Sequence, residues 1–314
     1  MAIIDLPLEK LKKYKPKFTR EKDFDKFWKD TKAESKRQPL NVEMKKVHYP
    51  VNRLEVFKIF YDGFKGGRIC GILMREKGAK NSPGMLAVHG YSGSKGVVAD
   101  YLGWVFQGYT VLALDVRGQA GESGDAAKYS GGHIWGWMTQ GILNPYEYYY
   151  RLVYMDCVRG LDILYNRKEV DKKRIVVTGG SQGGGLTLAV CGLDDRPKLG
   201  VSAMPFMCHF RRAVEISPQR PYTELMDYMK FYPDKEDQVY RTLSYIDNLN
   251  LADKIKCKMF VSVGLQDLIC PPSTVFAVYN NMKCKKHIQV YNYAGHDFIG
   301  VHNDDRIKWL AENL

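Results

Sequence analysis

No run of about 18 apolar residues occurs in the chain, so no membrane-spanning helix is expected and no membrane partner follows. The N-terminal stretch MAIIDLPLEKLKKYKPKF lacks a sustained apolar core. No secretory signal is read there, and a cytoplasmic location is the expectation. C-x-x-C pairs and Cys/His metal spacings are missing as well. The seven cysteines are scattered and odd in number, which argues for reduced, buried thiols rather than a disulfide framework. No haem, iron–sulfur or zinc pattern is present, so no metal and no cofactor is expected. Zinc-finger and RNP-type motifs, internal repeats and low-complexity segments are also absent. A dedicated nucleic-acid partner is therefore not expected, although the formal charge is +12. The lysines are spread along the chain, and solubility accounts for most of that charge.

The 314 residues suffice for a large core. After a charged, aromatic N-terminal segment (about 1–42), eight strand-like runs follow. LEVFKIFYDG and GRICGILMRE flank a short Gly-containing turn and read as a hairpin. GMLAVHG, YTVLALDVRG, RIVVTGGS, KLGVSAMP, KMFVSVGLQD and HIQVYNYAGH are almost wholly apolar, as strands buried on both faces are. Helical spacing covers Tyr148 to Tyr165, Pro272 to Met282 and Asp304 to Leu314. The alternation predicts one α/β domain over 1–314, with a mostly parallel eight-stranded sheet and helices on both faces. Gln119 to Pro145 reads as a long ordered loop. About 206–249, after the sixth strand, reads as two or three short helices punctuated by Pro218, Pro221 and Pro233. An insertion there lies above the carboxyl ends of the strands, where open α/β sheets bind ligands.

Thr178 to Leu188 reads TGGSQGGGLTL, with one serine among five glycines. GGSQG is G-x-S-x-G, preceded by an apolar strand and followed by a helix-like run, the context of a nucleophile elbow. Gly179 and Gly183 relieve the crowding of so sharp a turn and let the Ser181 hydroxyl project above the sheet. A Walker A loop would need a lysine that is missing, and G-x-G-x-x-G fails in register. A structural Gly-rich helix start is the remaining alternative.

A serine nucleophile needs a base and an acid, which in this architecture follow it in chain order. Asp267 ends one late strand and His296 the next. Asp267 could instead cap the helix after Pro271, and His302 competes with His296. Gln182 and the loop HGYSGSKG, at Tyr91, are positioned to supply backbone oxyanion donors. His89 reads as a structural loop residue, and Cys270 as a pocket or core thiol. The run Tyr146 to Tyr154 reads as the packing face of a helix, with carbohydrate stacking as the alternative.

RGQAGES (Arg117 to Ser123), GGSQGGG (Gly179 to Gly185), GHDF (Gly295 to Phe298) and the segment Met138 to Arg159 resemble the cephalosporin C deacetylase/acetyl xylan esterase family, carbohydrate esterase family 7. The resemblance spans nearly the whole chain. It implies an α/β-hydrolase fold, the triad Ser181, Asp267 and His296, and oxyanion donors at Tyr91 and Gln182. Pocket walls would be Tyr91, Phe206, Pro221 and Ile269. The implied activity is metal-free removal of acetyl groups from small substrates, such as acetylated xylo-oligosaccharides and cephalosporin-type compounds. The implied assembly is a cytoplasmic homo-hexamer. The family's usual Glu after the histidine is Asp297 here, which is expected to hold the Arg117 loop. A general short-chain carboxylesterase, lactonase or peptidase of the same fold is the competing enzyme reading, and a silent hydrolase scaffold the non-enzymatic one.

Overall fold

A computed structural model describes residues 4–297 and 300–314. Nine strands form one sheet in the order β1-β2-β3-β5-β4-β6-β7-β8-β9. They are β1 (Glu43–Val47), β2 (Leu54–Asp62), β3 (Arg68–Glu76), β4 (Ser82–Val88), β5 (Thr110–Leu114), β6 (Val170–Gly180), β7 (Leu199–Ala203), β8 (Lys258–Gly264) and β9 (Lys286–Tyr291). The first three strands and the β3–β5 pair are antiparallel, and every later pairing is parallel. The parallel strands β4, β5 and β7 are buried at every position, which is why each reads as a continuous apolar run.

The expected count of eight strands is corrected to nine. The extra strand, β1, is exposed along its whole length and reads EMKKV. It pairs with β2 through the backbone ladder and the exposed Lys46–Glu55 ion pair and carries no buried face, so periodicity does not reveal it. Its lysines suit an edge strand that must not recruit another chain. The helical insertion accordingly follows the seventh strand, not the sixth.

Helices in chain order are α1 (Leu8–Leu11), α2 (Phe24–Arg37), α3 (Leu102–Val105), α4 (Tyr149–Tyr165), α5 (Gln182–Leu193), α6 (Phe210–Ile216), α7 (Tyr222–Phe231), α8 (Glu236–Ile246), α9 (Pro272–Asn281) and α10 (Gly300–Asn313). Two apolar clusters line the sheet's two faces. The larger gathers α2, α4, α5, α9 and the insertion; the smaller gathers α3 and α10. The Tyr148 to Tyr154 rings belong to the larger core and are fully buried, as the packing-face reading expects; Tyr146 alone stays exposed. No helix among the described residues is long and apolar enough to cross a membrane.

Because β4, β6, β8 and β9 run parallel, the segments after them emerge along one edge of the sheet. Those segments carry Tyr91, Ser181, Asp267 and His296. The helices α6 to α8 lie in the segment between β7 and β8.

Candidate active site

Strand β6 ends at Gly180 and α5 begins at Gln182, leaving a single residue for the turn. Ser181 makes it at φ 55° and ψ −119°, a region that costs a residue with a side chain on the order of 1–3 kcal/mol. The turn drives α5 against the ends of β4 and β6. A Cβ on Gly183 would lie 2.0 Å from the Val88 carbonyl oxygen, and one on Gly179 2.5 Å from Gly183. No side chain fits either position. The glycines thus permit the contact that raises the serine.

Ser181 Oγ lies 2.9 Å from His296 Nε2, and His296 Nδ1 lies 2.7 Å from Asp267 Oδ2. The other Asp267 oxygen accepts the Ile269 and Cys270 N–H groups at 2.9 and 2.7 Å. An ionised carboxylate only accepts, so the imidazole proton resides on Nδ1 and Nε2 offers its lone pair to the serine hydroxyl. Asp267 is wholly buried, whereas His296 and Ser181 keep partial exposure. The capping alternative for Asp267 falls away, because α9 starts after Pro271 and its first turn takes nothing from Asp267. His302 sits on α10 with its Nε2 against Ser262 Oγ at 2.9 Å, outside this chain of bonds. Cys270 is buried, and burial, with Asp267 nearby, pushes its thiol well above the ordinary range, so it stays protonated.

The Tyr91 and Gln182 backbone N–H groups meet no protein acceptor among the described residues. Gln182 N–H is the first of α5, where donors are unused and the helix dipole favours negative charge. Phe206 is buried, with its ring 6.2 Å from that of Tyr91 and its N–H on the Ser181 carbonyl. Pro221 is buried at the start of α7, and Ile269 is half-buried beside the acid. Ser217 Oγ donates to the Leu268 carbonyl at 2.8 Å, tying the insertion to the Asp267 loop.

His89 is the structural loop residue that the sequence reading expects, whereas the role of Gln119 escaped that reading. His89 accepts the Val116 N–H on Nε2 and donates from Nδ1 to the Gly90 carbonyl, which makes it the structural brace between two loops. Burial lowers its pKa, keeping it neutral. Gln119 and Gln182 form a reciprocal amide pair, and Gln119 also accepts Ser92 N–H. The motifs R-G-Q and S-Q-G are therefore two halves of one contact, a signal visible in their co-occurrence but without geometry.

The expected Asp297–Arg117 pairing is corrected. The buried Arg117 guanidinium is held by Asp156 at 2.6 and 2.8 Å, by Asp125 at 3.3 Å and by the Phe64 carbonyl at 2.7 Å. Burial pulls its pKa down, but Asp156 outweighs that and the net shift is upward. Asp297 is exposed, and Phe298 of the GHDF motif lies outside the described residues.

The family model described as acetyl xylan esterase (AXE1) matches residues 1–313. An acetyl xylan esterase from Paenibacillus sp. R4 is 44% identical, with a TM-score of 0.96 over 98% of this chain and 100% of that one. Acetyl xylan esterase 1 from Thermoanaerobacterium sp. JW/SL YS485 is 34% identical, with a TM-score of 0.94 over 98% and 99% of the two chains. The acetyl esterase Axe7A of Xylanibacter ruminicola is 27% identical in an alignment 312 residues long that covers 96% of this chain and 69% of that protein.

Proposed function

This chain belongs to the acetyl xylan esterase family, on an α/β-hydrolase fold, and from that premise we propose that Ser181, His296 and Asp267 are its catalytic triad. The protein is a carboxylic ester hydrolase, a serine esterase acting on acetyl esters. The observation that carries the residue assignment is the unbroken chain of bonds at 2.9 and 2.7 Å.

His296 takes the Ser181 proton as the hydroxyl attacks the acetyl carbonyl. Asp267 fixes the imidazole tautomer and stabilises the imidazolium. The Tyr91 and Gln182 N–H groups meet the negative oxygen of the tetrahedral intermediate. His296 then gives its proton to the departing alcohol. Water, deprotonated by the same ring, attacks the acetyl-serine and frees acetate.

The substrates we propose are acetylated xylo-oligosaccharides and cephalosporin C-like acetates, handled without a cofactor. Tyr91, Phe206 and Pro221 wall the acyl side, and Ile269 is a further wall of the pocket. Each added methylene shifts preference by only about 1–3 kcal/mol in an apolar pocket, so strict acetyl selection needs such a hard wall. A panel of acetylated xylo-oligosaccharides, cephalosporin C, p-nitrophenyl acetate and p-nitrophenyl octanoate tests this. The acetates should be hydrolysed and the octanoate should be slower by about 100-fold or more in kcat/KM. Equal rates on acetate and octanoate would instead describe a general carboxylesterase. A cytoplasmic homo-hexamer completes the proposal. A six-chain species in sedimentation supports it, and a monomer contradicts it.

A further inference from the structure

Glu224 lies on α7 and takes no part in the chemistry above. Its side chain is buried at 2% exposure. It accepts the Tyr91 hydroxyl at 3.0 and 2.8 Å on its two oxygens, and the Met138 N–H at 3.2 Å. The Tyr91 oxygen itself accepts the Trp137 N–H at 2.7 Å. A backbone N–H can only donate, so the phenol proton is directed to Glu224 and the carboxylate serves as acceptor.

Gly136 reinforces the point. It sits at φ +66°, and a Cβ there would lie 2.2 Å from a Glu224 oxygen. The 136–138 backbone is thus laid directly on the carboxylate. The opposite side of the Tyr91 loop is fixed by Ser92 N–H on Gln119 at 3.1 Å. Two segments distant in sequence, the Tyr91 loop and 136–138, close on one buried acid.

A buried carboxylate is a poor device for packing alone. Burial disfavours its ionised form and raises its pKa, against the opposing pull of Tyr91, the nearby backbone donors and Arg220. An apolar side chain of similar volume is often as stabilising. What Glu224 supplies that an apolar side chain cannot is a fixed acceptor for the Tyr91 phenol.

We propose that Glu224 is a positioning residue: through the Tyr91 phenol it sets the loop so that the Tyr91 N–H meets the oxyanion. This rests on the reading of that N–H as an oxyanion donor. A misdirected donor weakens binding of the tetrahedral state while leaving substrate binding almost untouched, so the loss falls on kcat and not on KM.

The test uses Glu224→Gln, Tyr91→Phe and the double variant, with kcat and KM for a small acetyl ester, inhibition by a boronic acid that adds to the nucleophilic serine, and melting midpoints. Glutamine can keep an oxygen in the Oε2 place, where the Tyr91 hydroxyl and the Met138 N–H both meet, but its NH₂ then stands against the Tyr91 oxygen in the Oε1 place and breaks the two-oxygen grip on the phenol. Glu224→Gln should lower kcat about 10- to 100-fold with KM within about 2-fold, and weaken boronate inhibition by the same factor as kcat. Its melting midpoint should stay within about 3 °C of the parent. Tyr91→Phe should behave alike, and the double variant should be no worse than Tyr91→Phe alone. If Glu224→Gln fails to fold, Tyr91→Phe carries the test, since it removes the link and keeps the acid. Parent-like kcat and boronate inhibition, or losses that multiply in the double variant, overturn the proposal. Ser181→Ala separates the two levels. If it is inactive while Glu224→Gln and Tyr91→Phe are parent-like, only the role of Glu224 falls. If it stays active, the triad reading falls first.

Discussion

Gln119 and Gln182 face each other with both amides engaged, Nε2 of Gln119 on Oε1 of Gln182 at 2.8 Å and the reverse bond at 3.1 Å. Tyr150 donates to the same Gln182 oxygen, and Tyr149 joins Gln119 to the Arg117 carbonyl. The residue after the serine is thereby fixed to the loop that also holds Ser92. Gln119→Leu leaves the Gln182 NH₂ and the Ser92 N–H without their Gln119 acceptor and takes the Gln119 donor from the buried Tyr149 hydroxyl, while Tyr150 keeps its bond to Gln182. Each orphan costs about 1–3 kcal/mol if it stays dry. Urea unfolding should show a loss of about 2 kcal/mol or more, and kcat/KM for an acetyl ester should fall about 10-fold or more. A variant equal to the parent in both would make this pair decorative.

The contact of Gly183 with Val88 sets a steeper condition. Gly183→Ala puts a methyl carbon 2.0 Å from a backbone oxygen that cannot swing away. Either α5 retreats and moves Ser181, or the chain does not fold. Among molecules with native circular dichroism, kcat/KM should fall about 100-fold or more. Gly103→Ala is the control: nothing lies within 4 Å of its added carbon, and it should match the parent.

Arg117 depends on Asp156, not on Asp297. Asp156→Ala leaves a buried guanidinium without its main partner and should cost about 3–5 kcal/mol in urea unfolding. Asp297→Ala removes an exposed carboxylate and should stay within about 0.5 kcal/mol. Equal losses would restore the Asp297 pairing.

What could be read from the residues, and what could not, divides along burial. Buried parallel strands announce themselves as apolar runs, and the glycines around Ser181 have a steric cause that spacing alone exposes. Asp267 and His296 were legible because each ends such a run. The exposed strand Glu43–Val47 has no buried face and left no pattern. Asp156 lies inside the aromatic helix α4, 39 residues from Arg117, and only the fold brings them together. Asp297 was the tempting partner because it adjoins His296 in sequence, where proximity says nothing about direction. Glu224 carried no signal at all in YTELMDYMKF.

His302 gives a pH signature in stability. Burial, then Arg306, lowers its pKa from 6.5 to about 4. A histidine lowered by folding favours the native state fully above its unfolded value. That stability drains away as pH falls from 6.5 through about 4, because the unfolded chain binds a proton the folded one refuses. The melting midpoint of the parent should therefore drop more steeply over this window than that of His302→Gln, which keeps a polar group against Ser262. Parallel curves for the two proteins would remove His302 from the balance.

The most direct measurement is mass spectrometry of the protein inactivated by an organophosphonate. One adduct per chain on the peptide bearing Ser181, growing in step with the loss of acetyl esterase activity, is the expected result. Inactivation with the adduct on another residue, or full activity with Ser181 modified, would contradict the assignment of Ser181 as the nucleophile.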